Sequence, residues 1–202
     1  CLERSQPCVS ASMLEQTGIA HIKILTFNNE RVVDQLAMAL TDMPSRTRGI
    51  IIDLRRNPGG SVFAANLAIA QFFDHTVATG TFVRRSGRSS EGHGWPFFSA
   101  KYAGRVAVLT SPATGSAAEI FAHVLQHEKR ALIVGRRTAG AVVISRSYPL
   151  PDGGTLQVPI EDYLGRDNQR LEGRGVTPDI GVSAPALTEL RAGRDKDIEA
   201  AL

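Results

Sequence analysis

Residues 107–126 read AVLTSPATGSAAEIFAHVLQ, and they pass from an apolar strand through a turn of small residues into an amphipathic helix. The helix is indicated by apolar side chains that recur every three to four residues, which is the spacing of one buried stripe: Ile120, Phe121, Val124 and Leu125. Ser116 immediately precedes this helix. Its side chain therefore lies where the unpaired N–H groups and the positive end of the helix dipole face a ligand.

Two roles are open to Ser116 on this stretch alone. Serine is a preferred N-cap, and Thr114 and Gly115 would then be ordinary turn residues. The same position suits a nucleophile, because a tetrahedral oxyanion formed on Ser116 could accept a hydrogen bond from the Ala117 N–H group.

Strands alternate with helices through the first two-thirds of the chain, which indicates an α/β fold with parallel βαβ-type units and helix-covered sheets. Residues 49–54, GIIIDL, form the continuous apolar run of a strand covered on both faces. We expect residues 1–17 to be an irregular lead-in or the end of an upstream module, and residues 18–202 to be one core domain. Residues 86–98 are expected to form a Gly/Ser-rich loop.

Composition excludes several function classes. A formal net charge of +3 with scattered arginines gives no reason to expect nucleic acid as a partner. No apolar run reaches the roughly 20 residues of a membrane span. No carboxylate pair, Cys/His cluster or phosphate-binding glycine motif is present, so we expect neither a metal nor another cofactor. Cys1 and Cys8 permit a disulfide in an exported protein.

Four stretches, in this order, resemble the tail-specific (C-terminal processing) serine peptidases, a family that includes tricorn-like peptidases and the interphotoreceptor retinoid-binding relatives. Each motif is weak alone, but four in the right order are specific, and the similarity extends over nearly the whole chain. The stretches are GIIIDLRRNPGG at residues 49–60, TGSAAEIFAHVLQ at 114–126, RALIVGRRTAGA at 130–141 and LEGRGVTPDI at 171–180.

The resemblance implies a ClpP/crotonase-like fold of ββα units, with Ser116 at the nucleophile position. The oxyanion hole would combine the Ala117 N–H group with that of Gly59 or Gly60, where glycine permits a close backbone approach. The implied activity is cleavage of peptides or protein tails through an acyl-enzyme. The implied substrate is a peptide or unfolded protein, and the implied location is periplasmic or extracellular. Homo-oligomer formation is left open.

The general base is where this sequence departs from the bacterial tail-specific branch, in which a lysine follows the nucleophile in a Thr-Phe-Gly-Lys turn. The matching turn here is Thr138-Ala139-Gly140-Ala141, so Ala141 stands at the lysine position and a Ser–Lys dyad of that kind is absent. The turn resembles the tricorn and interphotoreceptor branch instead. In that branch the base is a histidine from a segment upstream of the core, oriented by a serine and a glutamate.

By this resemblance Glu172 is the candidate for the orienting glutamate, with the alternative that it is a turn carboxylate paired with Arg170 or Arg174. No histidine of the chain matches the base. His123 lies about 10 Å along the helix from Ser116, too far for a direct hydrogen bond. We therefore expect the base to come from an upstream segment, and whether the isolated chain is active is left open.

Three further expectations remain. Glu119, one helical turn after Ser116, either orients the turn or faces solvent. A catalytically inactive module that binds a ligand or peptide on the same scaffold is the main alternative function, since the base is missing. An acyl-CoA enzyme of the crotonase type is a more distant one.

Overall fold

The computed structural model describes residues 7–96 and 102–202. The strands of this part are β1 (Val9–Leu14), β2 (Ile19–Ile24), β3 (Gly49–Asp53), β4 (Val77–Arg84), β5 (Ser89–Gly94), β6 (Arg105–Thr110), β7 (Leu132–Gly135), β8 (Ile144–Pro149), β9 (Thr155–Leu164) and β10 (Ile180–Gly181). The helices are α1 (Arg31–Thr41), α2 (Val62–Ala70), α3 (Ala117–His127), α4 (Leu187–Arg191) and α5 (Lys196–Ala201).

The larger sheet has the strand order β1-β2-β3-β6-β7-β10, and all of its pairs except β1-β2 are parallel. Its central strand β3 is buried along its whole length, as the apolar run predicts. Ile50 and Ile52 pack into the main core with α1, α2 and α3, whereas Ile51 faces the opposite side with Ile198 of α5. The predicted α/β fold with helix-covered sheets is confirmed.

The smaller sheet is antiparallel and has the order β5-β4-β9-β8. Residues 151–154 connect β8 and β9 as an antiparallel hairpin. Residues 86–98, expected to be a loop, contain β5, so that expectation is wrong for Ser89–Gly94. Gly92 is in close contact with β4, since a Cβ there would lie 2.6 Å from Thr79 Oγ1, and this pairing forms a strand from residues of low strand propensity.

The expectation of an irregular lead-in is also wrong for Val9–Leu14, which form β1 and pair with β2 throughout. Residues 1–6 lie outside the described part. Most of β1 is exposed or half-buried at the sheet edge, which explains why the sequence lacks a clear apolar alternation there. Cys8 is buried and disulfide-bonded, and Cys1 lies outside the described residues. Helices long and apolar enough to span a membrane are absent from the described residues.

A network of ion pairs fastens α5 to the carboxyl end of β3. The Arg55 guanidinium contacts Asp53 at 2.7 Å, Asp195 at 2.8 Å and Asp197 at 2.9 Å. Arg136 adds a pair to Asp197 at 2.7 Å. Burial alone would raise the pKa of Asp53, but hydrogen bonds from His21 and Arg55 and the Arg55 charge hold that pKa well below its ordinary value.

This network makes the folded protein sensitive to acid. Because the folded pKa of Asp53 is depressed, its stabilisation is present above the unfolded pKa of about 4 and is lost as the pH falls from there towards the folded value. We expect Asp53→Asn to lower the free energy of unfolding, measured in urea at pH 7, by on the order of 2 kcal/mol. The variant should then lose less stability between pH 7 and pH 3 than the unmodified chain does. Asp34→Asn, at an exposed position on α1, is the control. An equal loss of stability between pH 7 and pH 3 in Asp53→Asn and the unmodified chain would contradict this account.

Candidate active site

Ser116 lies between the end of β6 and the first residue of α3, in a strained backbone conformation. Its φ is +52° and its ψ is −123°, which residues other than glycine rarely adopt. The turn before it is fixed by Thr114, whose hydroxyl donates to the Leu54 carbonyl at 2.8 Å. Ser116 is half-buried and is the N-cap of α3. The sharp entry into the helix therefore combines a capping position with an accessible serine.

The second glycine stretch packs directly against Ser116. Gly59 has a φ of +105°, and a Cβ there would lie 2.6 Å from the Ser116 Cβ and 2.7 Å from the Gly115 carbonyl oxygen. The Gly115 N–H group donates to the Asn57 carbonyl at 3.0 Å, which joins the two turns. The glycine is required here by both its backbone conformation and the contact distance.

The structure distinguishes between the two candidate glycine donors. The Gly59 N–H group donates to Asn57 Oδ1 at 2.9 Å and is therefore occupied. Within the described ranges, neither the Gly60 N–H group nor that of Ala117 has a hydrogen-bond partner. Gly60 is half-buried, and its N–H group is the unoccupied one of the two candidate glycine donors.

Glu119 connects Ser116 to the turn at residues 138–141. Its fully buried carboxylate accepts hydrogen bonds from Thr138 Oγ1 at 2.5 Å, Gly140 N at 2.7 Å, Ala141 N at 2.9 Å and Ser116 N at 3.0 Å. Of the two roles expected for Glu119, facing solvent is therefore wrong and orienting the turn is confirmed. In the described part of the chain this carboxylate has no cationic partner, so its four donors alone compensate its burial.

Glu172 binds the two backbone N–H groups that directly follow those bound by Glu119. Its Oε2 atom accepts from Val142 N at 2.7 Å and from Val143 N at 3.1 Å. Among the described residues, neither Arg170 nor Arg174 forms a salt bridge with Glu172: Arg170 donates to Asp162 and Arg174 to Gln169, and the Glu172 charge acts on Arg170 only from a longer distance. Together Glu119 and Glu172 bind the four consecutive N–H groups of residues 140–143.

The turn that carries Glu172 packs tightly on the turn held by Glu119. The Gly173 N–H group donates to the Gly140 carbonyl at 2.8 Å. A Cβ on Gly140 would lie 2.9 Å from Gly175 N, and φ at Gly140 is +69°. The structure thus brings Ser116, Gly59, Glu119 and Glu172 into one continuous set of contacts, although the sequence separates Gly59 from Glu172 by more than a hundred residues.

No histidine of the described residues is hydrogen-bonded to Ser116. His21 contacts Asp53 at 3.1 Å, and His123 Nε2 accepts from the Arg166 N–H group at 3.1 Å. Burial lowers the pKa of His123, with an opposing effect from Asp167 and a smaller lowering by His127. No group of three or more His, Cys, Asp or Glu side chains suited to a metal occurs in the part of the chain that the structure describes.

Comparison with known proteins identifies the family that this chain matches. Residues 18–182 match the sequence profile of Peptidase family S41. The carboxy-terminal-processing protease of Bartonella bacilliformis is 29% identical over 187 residues, which cover 88% of this chain and 41% of that protein. The chain therefore spans less than half the length of this curated relative.

Solved structures show the same fold. A Parabacteroides merdae protein superposes with a TM-score of 0.83 at 24% identity, covering 96% of this chain and 63% of the other. The tricorn protease superposes with a TM-score of 0.71 at 25% identity, covering 91% of this chain and 17% of the other. The expected similarity to tail-specific peptidases and their tricorn relatives is confirmed.

Proposed function

The chain belongs to Peptidase family S41, and from this premise we propose that it is the core domain of a serine peptidase that cleaves peptides or protein tails through an acyl-enzyme on Ser116. The observation that carries the proposal is the contact of Gly59 with a strained, accessible Ser116 at the entrance of α3. Strain of this kind in a non-glycine residue is found mainly at functional sites.

The proposed chemistry has two steps. The Ser116 hydroxyl attacks the scissile carbonyl carbon and loses its proton to a base, and the oxyanion that forms accepts hydrogen bonds from the Ala117 and Gly60 N–H groups. The carbonyl then re-forms as the peptide C–N bond breaks, and the amine leaves with the proton from the base. Water repeats the sequence on the ester and restores Ser116.

We propose that the base is a histidine from a segment upstream of this chain, oriented by Glu172. The Glu172 carboxylate uses only Oε2 for Val142 and Val143, and its Oε1 atom has no hydrogen-bond partner among the described residues. The side chain is half-buried and so accessible to an incoming ring. A carboxylate in this position would select the imidazole tautomer and hold its orientation.

We propose that substrate binds by strand addition on β8. This strand is an edge of the smaller sheet and begins directly after the N–H groups that Glu119 and Glu172 hold. An unpaired strand edge can bind an extended peptide backbone whatever its side chains, which suits a peptidase for unfolded tails. A periplasmic or extracellular location is supported by the disulfide at Cys8.

Labelling by a serine-directed phosphonate tests the nucleophile. In a chain extended upstream to the length of its relatives, we expect covalent labelling of Ser116, found by mass spectrometry of the peptide that contains it. Ser116→Ala should remove the label, and Ser183→Ala, at an exposed position, should keep it. Unlabelled Ser116 in the extended chain, or equal labelling in Ser116→Ala, would overturn the proposal.

A binding module without catalysis is the second candidate, favoured by the lack of a described histidine or lysine at Ser116. This function predicts tight binding of an apolar ligand or peptide by the extended chain without any turnover. Equilibrium binding and hydrolysis measured on the same sample separate the two candidates.

A further inference from the structure

A cavity of about 400 Å³ lies away from Ser116, between the second half of α3 and the turn of residues 171–175. Its lining contains one carboxylate, that of Asp167, and several basic side chains: His123, His127, Arg137, Arg170 and Arg174. Ser116, Ala117 and Gly60 do not line it. The volume is that of a site for a small molecule.

The charges in this cavity are not balanced by the protein. Arg170 is paired with Asp162, but neither Arg137 nor Arg174 forms an ion pair with any described residue. Arg137 Nη1 donates to the Arg174 main-chain carbonyl at 3.4 Å, and Arg174 Nη1 donates to Gln169 Oε1 at 2.8 Å, so both arginines and Gln169 line the same cavity. Asp167 faces His123, with 3.8 Å between Oδ1 and Nε2, and leaves both arginines without a carboxylate.

We propose that this cavity binds a small, multiply charged oxyanion that carries phosphate or carboxylate groups. The planar guanidinium groups of Arg137 and Arg174 match such groups in geometry and charge. His123 is already bonded to the Arg166 N–H group, so it fixes the wall of the cavity and leaves the arginines as the ligand's charged contacts. Two unpaired cations favour a dianion over a neutral ligand.

The cavity is linked to the candidate active site through Thr138, which follows Arg137. Thr138 N donates to the Val176 carbonyl at 3.2 Å, and Val176 N donates to Thr138 Oγ1 at 2.7 Å. Thr138 Oγ1 in turn donates to Glu119, whose carboxylate also holds Ser116 N. An anion on the turn of residues 171–175 would therefore stabilise the turn that orients Ser116, and this regulatory consequence rests on the proposed function.

Isothermal titration calorimetry with pyrophosphate and with citrate tests the binding site itself. We expect at least one of these probes to bind the unmodified chain, with an affinity that falls as salt is raised. Arg137→Gln combined with Arg174→Gln should weaken that binding about tenfold or more. The matched control is Arg88→Gln combined with Arg191→Gln, which removes the same charge at two arginines that are exposed, as Arg137 and Arg174 are, but lie outside the cavity; it should leave the affinity unchanged.

The two probes distinguish which anionic group the ligand carries. Binding of pyrophosphate alone indicates a phosphate ligand, and binding of citrate alone indicates a carboxylate ligand. Binding of neither probe, or equal binding to the unmodified chain and the Arg137/Arg174 variant, would overturn the proposal. Thermal unfolding of each variant establishes that it is folded. No peptide substrate is involved, so this result is independent of whether Ser116 is a nucleophile.

Discussion

Replacing Gly59 by alanine is expected to abolish peptide hydrolysis by the extended chain and to cost about 2 to 4 kcal/mol of folding free energy. The added Cβ would lie 2.6 Å from the Ser116 Cβ and 2.7 Å from the Gly115 carbonyl oxygen, where backbone has to move. The φ of +105° adds strain for any L side chain. The rate of cleavage of an unstructured peptide measures the loss of hydrolysis, and urea unfolding measures the loss of folding free energy.

Gly87→Ala is the matched control for this substitution. Gly87 also has a positive φ, of +80°, but a Cβ there meets nothing within 4 Å. Gly87→Ala should therefore cost only about 1 kcal/mol of folding free energy and leave hydrolysis unchanged. If Gly59→Ala were no less stable than Gly87→Ala, the close contact between Gly59 and Ser116 would be incorrect.

Glu119→Gln is expected to have the second-largest effect, with a loss of about 2 to 3 kcal/mol in folding free energy and at least about a tenfold loss in kcat. The carboxylate accepts four hydrogen bonds in full burial, and an amide would present an NH2 group to some of those donors. Because Glu119 positions Ser116 and does not contact substrate in the proposed mechanism, KM should change little. Urea unfolding and steady-state kinetics of the extended chain measure both quantities.

Glu15→Gln is the control, since Glu15 is exposed and takes part in no hydrogen bond of the described residues. It should leave stability and kinetics unchanged. A Glu119→Gln variant with unaltered stability and kcat would show that the carboxylate does not hold the turn. A rise in KM with kcat unchanged would instead place Glu119 in substrate binding.

The sequence predicted the fold best where local pattern and tertiary environment agree. The apolar run of β3 is buried on both faces, and the stripe of α3 faces the core. Prediction from the sequence failed at β5, where SSEGHG carries no strand signal and the pairing with β4 determines the structure. It failed at β1 for a related reason, because an exposed edge strand does not need alternating apolar residues.

In the candidate site, the sequence predicted where the turns lie but not which of their atoms are free to form hydrogen bonds. Gly59 and Gly60 are adjacent and equivalent as sequence, and only the fold shows that the Gly59 N–H group is occupied by Asn57. An acid one turn after a serine is compatible with a solvent-exposed helix face, so the burial of Glu119 required knowledge of the turn at residues 138–141. The nearest arginines in sequence suggested ion pairs for Glu172, but its partners are backbone N–H groups.

The most direct test of the account is the hydrolysis of an unstructured peptide by three proteins: this chain, a chain extended upstream to the length of its relatives, and the extended chain with Ser116→Ala. We predict cleavage only by the extended chain, with Ser116→Ala at background. That result would show that Ser116 is the nucleophile and that the upstream segment supplies the base. Cleavage that persists in Ser116→Ala, or no cleavage by the extended chain, would contradict the proposed peptidase function.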